Sequence, residues 1–307
     1  MADLKAGRII EWHRLSPILS LFRVVGADSA RFPSYEAGQY IALRRDDCLL
    51  TRKVKEGDEV RFVPDLDAEG KQKRGSVTHS YSIASAPFEA AAGNYLEFYV
   101  VLERDRDGVL GRFTESLFRG VETHENDRLA YVERIVGDFT LAKRAQGFEQ
   151  VLMVGTGTGL APFVSMIKQL HHDALGGKRP PARYTLVHAN RTFEELAYHR
   201  ELLEIEESKT LDFVYVASVS RPVARDLSDP QIGSGRANNV LRHIFDLPPK
   251  DSGAIPAALP RTRPKEMLRE RIDPSRTVVL TCGNPNGMAD IAAIAQQTGM
   301  KFEKEDW

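Results

Sequence analysis

The run Val151-Leu152-Met153-Val154, followed by Gly155-Thr156-Gly157-Thr158-Gly159 and then Leu160-Ala161-Pro162-Phe163, constrains this chain more than any other stretch. Four consecutive apolar residues suit a strand buried on both faces of a parallel sheet, and the glycines permit a tight turn with close backbone approach. Pro162 falls where a first helical turn begins, a position whose amide has no intrahelical partner, and helical spacing continues to Leu170. A helix begun in this way directs its free amides at an anion. Strand, glycine turn and helix in succession predict an open α/β sheet with a phosphate-binding turn. Glycine pairs after a strand also make ordinary turns, so the motif acquires meaning from what accompanies it.

A chain of 307 residues accommodates two domains with separate cores. Its 42 basic and 43 acidic side chains leave a net charge of -1, so no global field recruits nucleic acid or an anionic membrane. Cys48 and Cys282 are too few for a cysteine-ligated iron–sulfur cluster or a disulfide framework, which fits a reducing cytoplasm. The N-terminus lacks an apolar signal core, and no stretch approaches the roughly 18 apolar residues of a membrane span. The expectation is a cytoplasmic monomer with no bound metal, no nucleic-acid partner and no membrane integration.

Residues 8–10, 20–25, 39–43, 59–63, 80–84, 95–102 and 128–132 alternate between turn signals and predict an antiparallel β-barrel domain over 1–142. Within it, part of the charged, glycine-bearing stretch 53–75 reads as a long exposed hairpin loop. After Gln146-Gly147 the rhythm changes to strands at 151–154, 184–189, 213–219 and 277–282, with helices at 162–172, 193–207, 238–245 and 288–298. That alternation predicts an α/β domain with a doubly wound parallel sheet over 147–307. The prolines from Pro248 to Pro264 read as a mobile surface insertion.

Two segments of the barrel half could touch a cofactor. In His79-Ser80-Tyr81-Ser82-Ile83-Ala84-Ser85, a phenol can cover a flat heterocycle and hydroxyls can bond its ring nitrogens, although a strand with ordinary polar caps has the same composition. Gly111-Arg112-Phe113-Thr114 reads as a loop entering a helix, with Thr114 as its cap and amides left for a pyrophosphate. One phosphate-cradling segment in each half implies one nucleotide cofactor per half.

Taken in order, Ala37-Gly38-Gln39-Tyr40, Tyr81-Ser82-Ile83-Ala84-Ser85, Leu96-Glu97-Phe98-Tyr99, the segment from Gly111 to Leu117, Gly137-Asp138-Phe139-Thr140-Leu141, the glycine run, Cys282-Gly283-Asn284-Pro285 and the terminal Trp307 resemble the ferredoxin–NADP(+) reductase superfamily. The resemblance runs over essentially the whole chain and is greatest to the bacterial ferredoxin/flavodoxin reductases. It implies FAD held by His79, Ser80, Tyr81, Ser82, Tyr99, Arg112, Phe113, Thr114, Thr158, Asp306 and Trp307. It implies NADP held by Gly157, Thr158, Asn190, Arg191, Ser220, Arg221, Arg236, Asn284, Pro285, Asn286 and Asp290, with Gly287 an extra residue beside the last of these. Ser82, Cys282 and Trp307 would stand at the reacting rings, the terminal tryptophan returning to the flavin as a gate. His79 departs from the family pattern, which has arginine there, and lacks that residue's permanent charge and forked geometry.

Arg191, Arg221 and Arg236 follow strand ends on the side where open sheets bind ligands, which favours NADP over NAD. By the same resemblance the second partner is a separate one-electron carrier, ferredoxin or flavodoxin. Arg44, Arg45, Arg52, Lys53, Lys71, Lys73 and Arg74 would form its docking surface if they converge. The competing readings are an NADH-dependent reductase component of an oxygenase, an NAD(P)H-dependent flavin or ferric reductase, and a noncatalytic nucleotide-binding subunit.

Overall fold

The computed structural model describes residues 3–57, 59–250 and 256–305. In the first part of the chain, β1 (Leu4–Ser16), β2 (Leu19–Gly26), β3 (Tyr40–Leu49), β4 (Thr51–Glu56), β5 (Glu59–Pro64) and β6 (Arg74–Ser82) are followed by α1 (Pro87–Gly93), β7 (Leu96–Val101), α2 (Arg112–Glu122) and β8 (Arg128–Val136). Six strands form one antiparallel sheet in the order β6-β3-β8-β1-β2-β7, a half-barrel around a single core. Alternation decides which side chains enter it: Phe22 and Val24 of β2, Ile41 and Leu43 of β3, and Leu96, Phe98 and Val100 of β7 point inward together. Phe113, Leu117 and Phe118 from one face of α2 fill the same core, each contributing roughly 1.5–3 kcal/mol of burial. Within the charged stretch, β5 covers the strand expected at 59–63 and pairs with β4 from Thr51↔Pro64 to Glu56↔Glu59 as a separate two-stranded sheet.

The second part carries α3 (Leu141–Arg144), β9 (Gln150–Thr156), α4 (Ala161–Leu175), β10 (Arg183–Asn190), α5 (His199–Glu207), β11 (Phe213–Val219), α6 (Ala224–Ser228), β12 (Ile232–Ser234), α7 (Ala237–Ile244), α8 (Lys265–Arg271), β13 (Thr277–Cys282), α9 (Pro285–Thr298) and β14 (Lys301–Lys304). Its sheet is wholly parallel, in the order β12-β11-β10-β9-β13-β14. Helices α7, α8 and α9 cover one face through Val240, Leu241, Leu268, Ile291 and Ile294, and α4 and α5 lie against the other. The chain leaves β9 toward β10 on one side and returns to β13 on the other, so the glycine turn after β9 stands at the topological switch point.

Contacts divide the chain into two compact units, 3–35, 40–83 and 89–136 in the first, and 36–39, 84–88 and 137–305 in the second. Two short stretches of the first part therefore belong with the parallel sheet. Ser165 of α4 donates to Ser85 O at 2.8 Å, Phe88 N donates to Gln169 Oε1 at 3.1 Å, and the Phe88 ring stacks on His172 at 4.1 Å.

The prolines from Pro256 onward do not behave as a mobile insertion. Ser234 and Ala258 exchange backbone bonds at 2.8 and 2.9 Å, Leu259 packs against the core of the second unit, and Pro260 is buried. Gly233 permits this approach, because a Cβ there would meet Ala258 O at 2.5 Å. Residues 251–255 lie outside the described part. No helix among the described residues is long and apolar enough to cross a membrane.

Candidate functional site

Three rings meet where β6 ends in the first unit. His79 and Tyr81, two residues apart, share one face of the strand, and Phe113 from the first turn of α2 joins them. Ring centroids are 6.1 Å apart for His79 and Tyr81, 5.2 Å for Tyr81 and Phe113, and 6.4 Å for His79 and Phe113. Burial, aided by the charge of Glu103, pushes the Tyr81 phenol well above its ordinary pKa, so it stays a neutral hydroxyl near neutral pH. Ser82 is buried opposite Tyr40, Ser80 is exposed opposite Ala42, and Tyr99 is buried on β7 opposite Leu21.

The N-cap of α2 is Gly111, not Thr114, and no side chain caps the helix. Thr114 lies buried within the first turn, donating to Gly111 O at 3.3 Å and accepting from Glu103 N at 3.3 Å. Gly111 is held so closely that a Cβ would stand 2.8 Å from the Glu103 carboxylate, which leaves no room for a capping side chain at that position. The amides of Arg112, Phe113 and Thr114 thus lack a side-chain cap, beside the exposed guanidinium of Arg112 and next to the ring cluster. Aromatic faces adjoining an uncapped helix start fit a flat heterocycle joined to a diphosphate.

Arg45 is not a docking residue. Its guanidinium is fully buried, donating to Ser116 Oγ at 2.8 Å and to the Arg128 and Asn126 carbonyls at 3.1 and 3.3 Å, and paired with Asp47 at 3.3 Å. Gly120 makes the space, since a Cβ there would lie 2.5 Å from this guanidinium. Arg45 ties β3 to the back of α2. Arg44 is engaged with Asp46 and Ser76, and Lys73 with Asp65.

In the second unit the turns after β9 and β13 lie side by side, Gly155 pairing with Cys282. A Cβ on Gly159 would stand 2.2 Å from Cys282 O, and one on Gly283, at φ +128°, 2.5 Å from Thr156 O. Gly157, at φ +59°, has open space around its Cβ position. Two glycines close the switch point and the third leaves it accessible to a phosphate. The turn 157–160 is a short 3-10 segment running directly into α4, with Pro162 in the first helical turn as expected. Thr158 is half-buried within that turn. Asn284, Pro285 and Asn286 are exposed at the start of α9, where the Asn284 side chain caps the amides of Asn286 and Gly287 at 3.0 and 3.3 Å.

Cys282 is buried and donates its thiol hydrogen to Glu305 Oε2 at 2.9 Å. Burial, reinforced by the Glu305 charge, holds this thiol well above its ordinary pKa. Sequence reasoning missed Glu305. Its only signal was a carboxylate near the chain end, and its position depends on the short strand β14, after which Glu305 N donates to Thr281 O at 3.1 Å. Asp306 and Trp307 lie outside the described residues.

The ends of β10 and β11 are joined by Ser220 N to Asn190 O at 2.9 Å and Arg221 N to Arg191 O at 2.8 Å. Asn190 turns its amide onto Glu195 O at 2.7 Å, and Arg191 makes two hydrogen bonds to the buried Glu195 carboxylate, the Nε contact at 2.9 Å. Arg221 is exposed and its side chain makes no ion pair among the described residues. Arg236 is the exposed N-cap residue of α7. Asp290 faces elsewhere: its buried carboxylate accepts from Arg242 at 2.6 and 2.9 Å and from Asn238 at 2.7 Å. Burial alone would raise the Asp290 pKa, and these bonds overcome it and lower it. Asp290 clamps α9 to α7.

An antiparallel sheet carrying an aromatic, uncapped-helix site in one unit, and a parallel sheet whose glycine turn sits at the switch point in the other, are the arrangement expected of a nucleotide-binding protein. Residues 153–255 match the family described as the oxidoreductase NAD-binding domain. The chain is 25% identical to a flavodoxin/ferredoxin–NADP reductase of Buchnera aphidicola subsp. Baizongia pistaciae over 71% of its own length and 72% of the relative's. It is 22% identical to the ferredoxin–NADP reductase of Azotobacter vinelandii over 98% and 93%. Its fold matches that of a ferredoxin NADP+ reductase from Neisseria gonorrhoeae, a structure with bound FAD and NADP, at a TM-score of 0.65 and 20% identity over 99% of both chains. Residues 153–255 thus match an oxidoreductase NAD-binding domain, and the chain as a whole is similar in sequence and in fold to ferredoxin–NADP reductases.

Proposed function

We propose that the chain is a ferredoxin- or flavodoxin-NADP(+) reductase of the cytoplasm, which binds FAD in its first unit and NADP(H) in its second and exchanges single electrons with a separate carrier protein. The observation that carries the reading is the convergence of His79, Tyr81 and Phe113 on the uncapped start of α2. That arrangement suits a flavin dinucleotide, and both curated relatives reported above are named as NADP reductases of such carriers.

FAD held by these residues would supply the chemistry of hydride acceptance and one-electron release. The protein's own task is positioning and electrostatics. Tyr81 presents a neutral ring and hydroxyl, and Ser82 a buried hydroxyl at the strand end. The Arg112, Phe113 and Thr114 amides receive the diphosphate, assisted by the Arg112 charge. In the second unit Gly157 and Thr158 admit the nucleotide phosphates, Asn284, Pro285 and Asn286 border them, and Cys282 stands as an unionised wall at the switch point. Arg221, with Ser220, Asn190 and Arg236, receives the 2′-phosphate that distinguishes NADP from NAD.

The test is an absorbance spectrum of purified protein reconstituted with FAD and titrated with NADPH. A flavin band bleached by NADPH, with turnover on ferredoxin or flavodoxin exceeding that on free flavin, is the expected result. A colourless protein that leaves NADPH unoxidised sinks the proposal. Faster turnover with free flavin or ferric chelates than with either carrier favours a small-molecule reductase, and an NADH preference favours the oxygenase-reductase reading.

A further inference from the structure

We propose that one face of the β4–β5 hairpin, built from Lys53, Lys55, Val60 and Phe62, docks the electron carrier through a carrier surface that is acidic with an apolar centre. The inference rests on the reading that a separate carrier protein takes the electrons.

Side chains alternate across a two-stranded sheet, and residues opposite one another in register share a face. The pairs Thr51↔Pro64, Lys53↔Phe62 and Lys55↔Val60 therefore lie on one side, and Arg52↔Val63 and Val54↔Arg61 on the other. The two sides differ in character. On the first, Lys53, Lys55, Val60, Phe62 and Pro64 are all exposed, Val60 by 55%, and none of the paired positions is acidic. On the second, Val54 and Val63 are half-buried between Arg52 and Arg61, and Glu59 adds a negative charge. Lys53 Nζ stands 5.7 Å from the centre of the Phe62 ring, and neither Lys53 nor Lys55 forms an ion pair among the described residues. A flat face with two uncompensated cations around an exposed aromatic ring and a valine calls for a partner that is acidic at its rim and apolar in the middle.

The hairpin is also placed for this task. It grows from the paired ends of β3 and β6, its base held by Leu50 N to Lys73 O at 2.8 Å, Asp65 N to Leu50 O at 3.0 Å and Lys73 N to Asp65 O at 2.8 Å. His79 of the ring cluster lies on the same strand as Arg74 at that base, about 17 Å along it at roughly 3.4 Å per residue. A domain of about 100 residues, with a radius of gyration of roughly 13 Å, spans that distance.

Other occupants are disfavoured by charge. A second copy packed face to face would set Lys53 and Lys55 against the same lysines. An anionic membrane would meet the end of the hairpin first, where the sequence Glu56-Gly57-Asp58-Glu59 supplies three acids.

Steady-state reduction of ferredoxin and of flavodoxin by the holoprotein, beside reduction of an uncharged quinone, tests this. Lys53→Glu combined with Lys55→Glu should raise the carrier KM about tenfold or more at low ionic strength, and much less at about 0.5 M NaCl. Phe62→Ala should raise it about threefold at either salt concentration. Both variants should reduce the quinone at the native rate, which also reports that they fold; if Phe62→Ala does not fold, the lysine pair decides alone. A carrier KM that the charge reversal leaves unchanged, or raises equally at low and high salt, overturns the docking role. Loss of quinone reduction in parallel with carrier reduction traces the effect to the flavin site and overturns it as well. Sedimentation with phosphatidylglycerol vesicles that the charge reversal abolishes, with carrier KM unchanged, replaces the protein partner by a lipid surface. A native holoprotein that reduces the quinone but neither carrier overturns instead the reading as a carrier reductase, and the occupant assigned to this face falls with it.

Discussion

The Cys282 thiol donates to the Glu305 carboxylate across 2.9 Å, joining the end of β13 to the residue that follows β14. Both groups are buried, and a thiolate there would face a carboxylate in a medium that solvates neither. The proton therefore stays on sulfur. Desolvation is the larger cause and the carboxylate the smaller. Native protein treated with a thiol-exchange reagent at pH 8 should consequently yield almost no reaction at Cys282, and Glu305→Gln should leave it unreactive. Peptide mapping of the labelled residue decides: rapid modification of Cys282 in Glu305→Gln would show that charge, not burial, holds the proton.

His79 shares its strand face with Tyr81 and lies 6.4 Å from the Phe113 ring, beside the first amides of α2. A neutral imidazole offers one donor to a diphosphate, whereas arginine offers a permanent charge in a forked geometry. His79→Arg should tighten FAD binding about tenfold, or ~1.4 kcal/mol, measured by fluorescence titration of the apoprotein. An unchanged or larger dissociation constant would mean that this position does not serve the diphosphate.

Much of this arrangement was legible from residue order. The apolar run 151–154 gave a central strand because it is apolar at every position, and Pro162 marked the start of its helix. The strands β2 and β7, rich in β-branched and aromatic residues, were equally plain. The edge strands β12 and β14 were not, because three and four residues carry too little pattern and Lys301-Phe302-Glu303-Lys304 is charged as edge strands commonly are. The helix expected over 193–207 breaks at Tyr198, whose φ of +60° leaves a 3-10 turn on one side and α5 on the other. Side-chain commitments were the least visible. Nothing in the order of residues states that Arg45 points inward, that Asp290 belongs to Arg242, or that Arg191 is taken by Glu195.

Gly159 and Gly157 differ in what surrounds them, though both belong to one turn. A side chain at Gly159 collides with the Cys282 carbonyl and the Gly283 amide, backbone atoms that cannot step aside without moving β13. At Gly157 the space is open and only the positive φ is strained, a cost of order 1 kcal/mol. Gly159→Ala should therefore destabilise the protein by roughly 3 kcal/mol or more and weaken NADP+ binding severely, whereas Gly157→Ala should stay close to native in stability. Denaturant melts of the two variants give the ranking; equal midpoints would contradict the close approach of the two turns.

Beneath the same sheet, His188 Nδ1 lies 3.0 Å from the Tyr215 hydroxyl, which also meets His199 Nδ1 at 3.3 Å. His188 is fully buried, and its Nε2 has no hydrogen-bond partner among the described residues. Burial, with a smaller contribution from His199, lowers its pKa from 6.5 to about 3. In the unfolded chain the imidazole takes up a proton near pH 6.5, while in the folded protein it refuses one until about pH 3, so between these values the unfolded state binds more protons. Stability then rises with pH across that window and is lost on acidification, at up to about 1.4 kcal/mol per pH unit from this group. Replacing His188 with Gln keeps a polar side chain that does not titrate and should flatten the dependence of the unfolding midpoint on pH between 6 and 4, whatever it does to stability at pH 8. A variant whose midpoint falls as steeply as the native protein's would place the acid sensitivity in other groups.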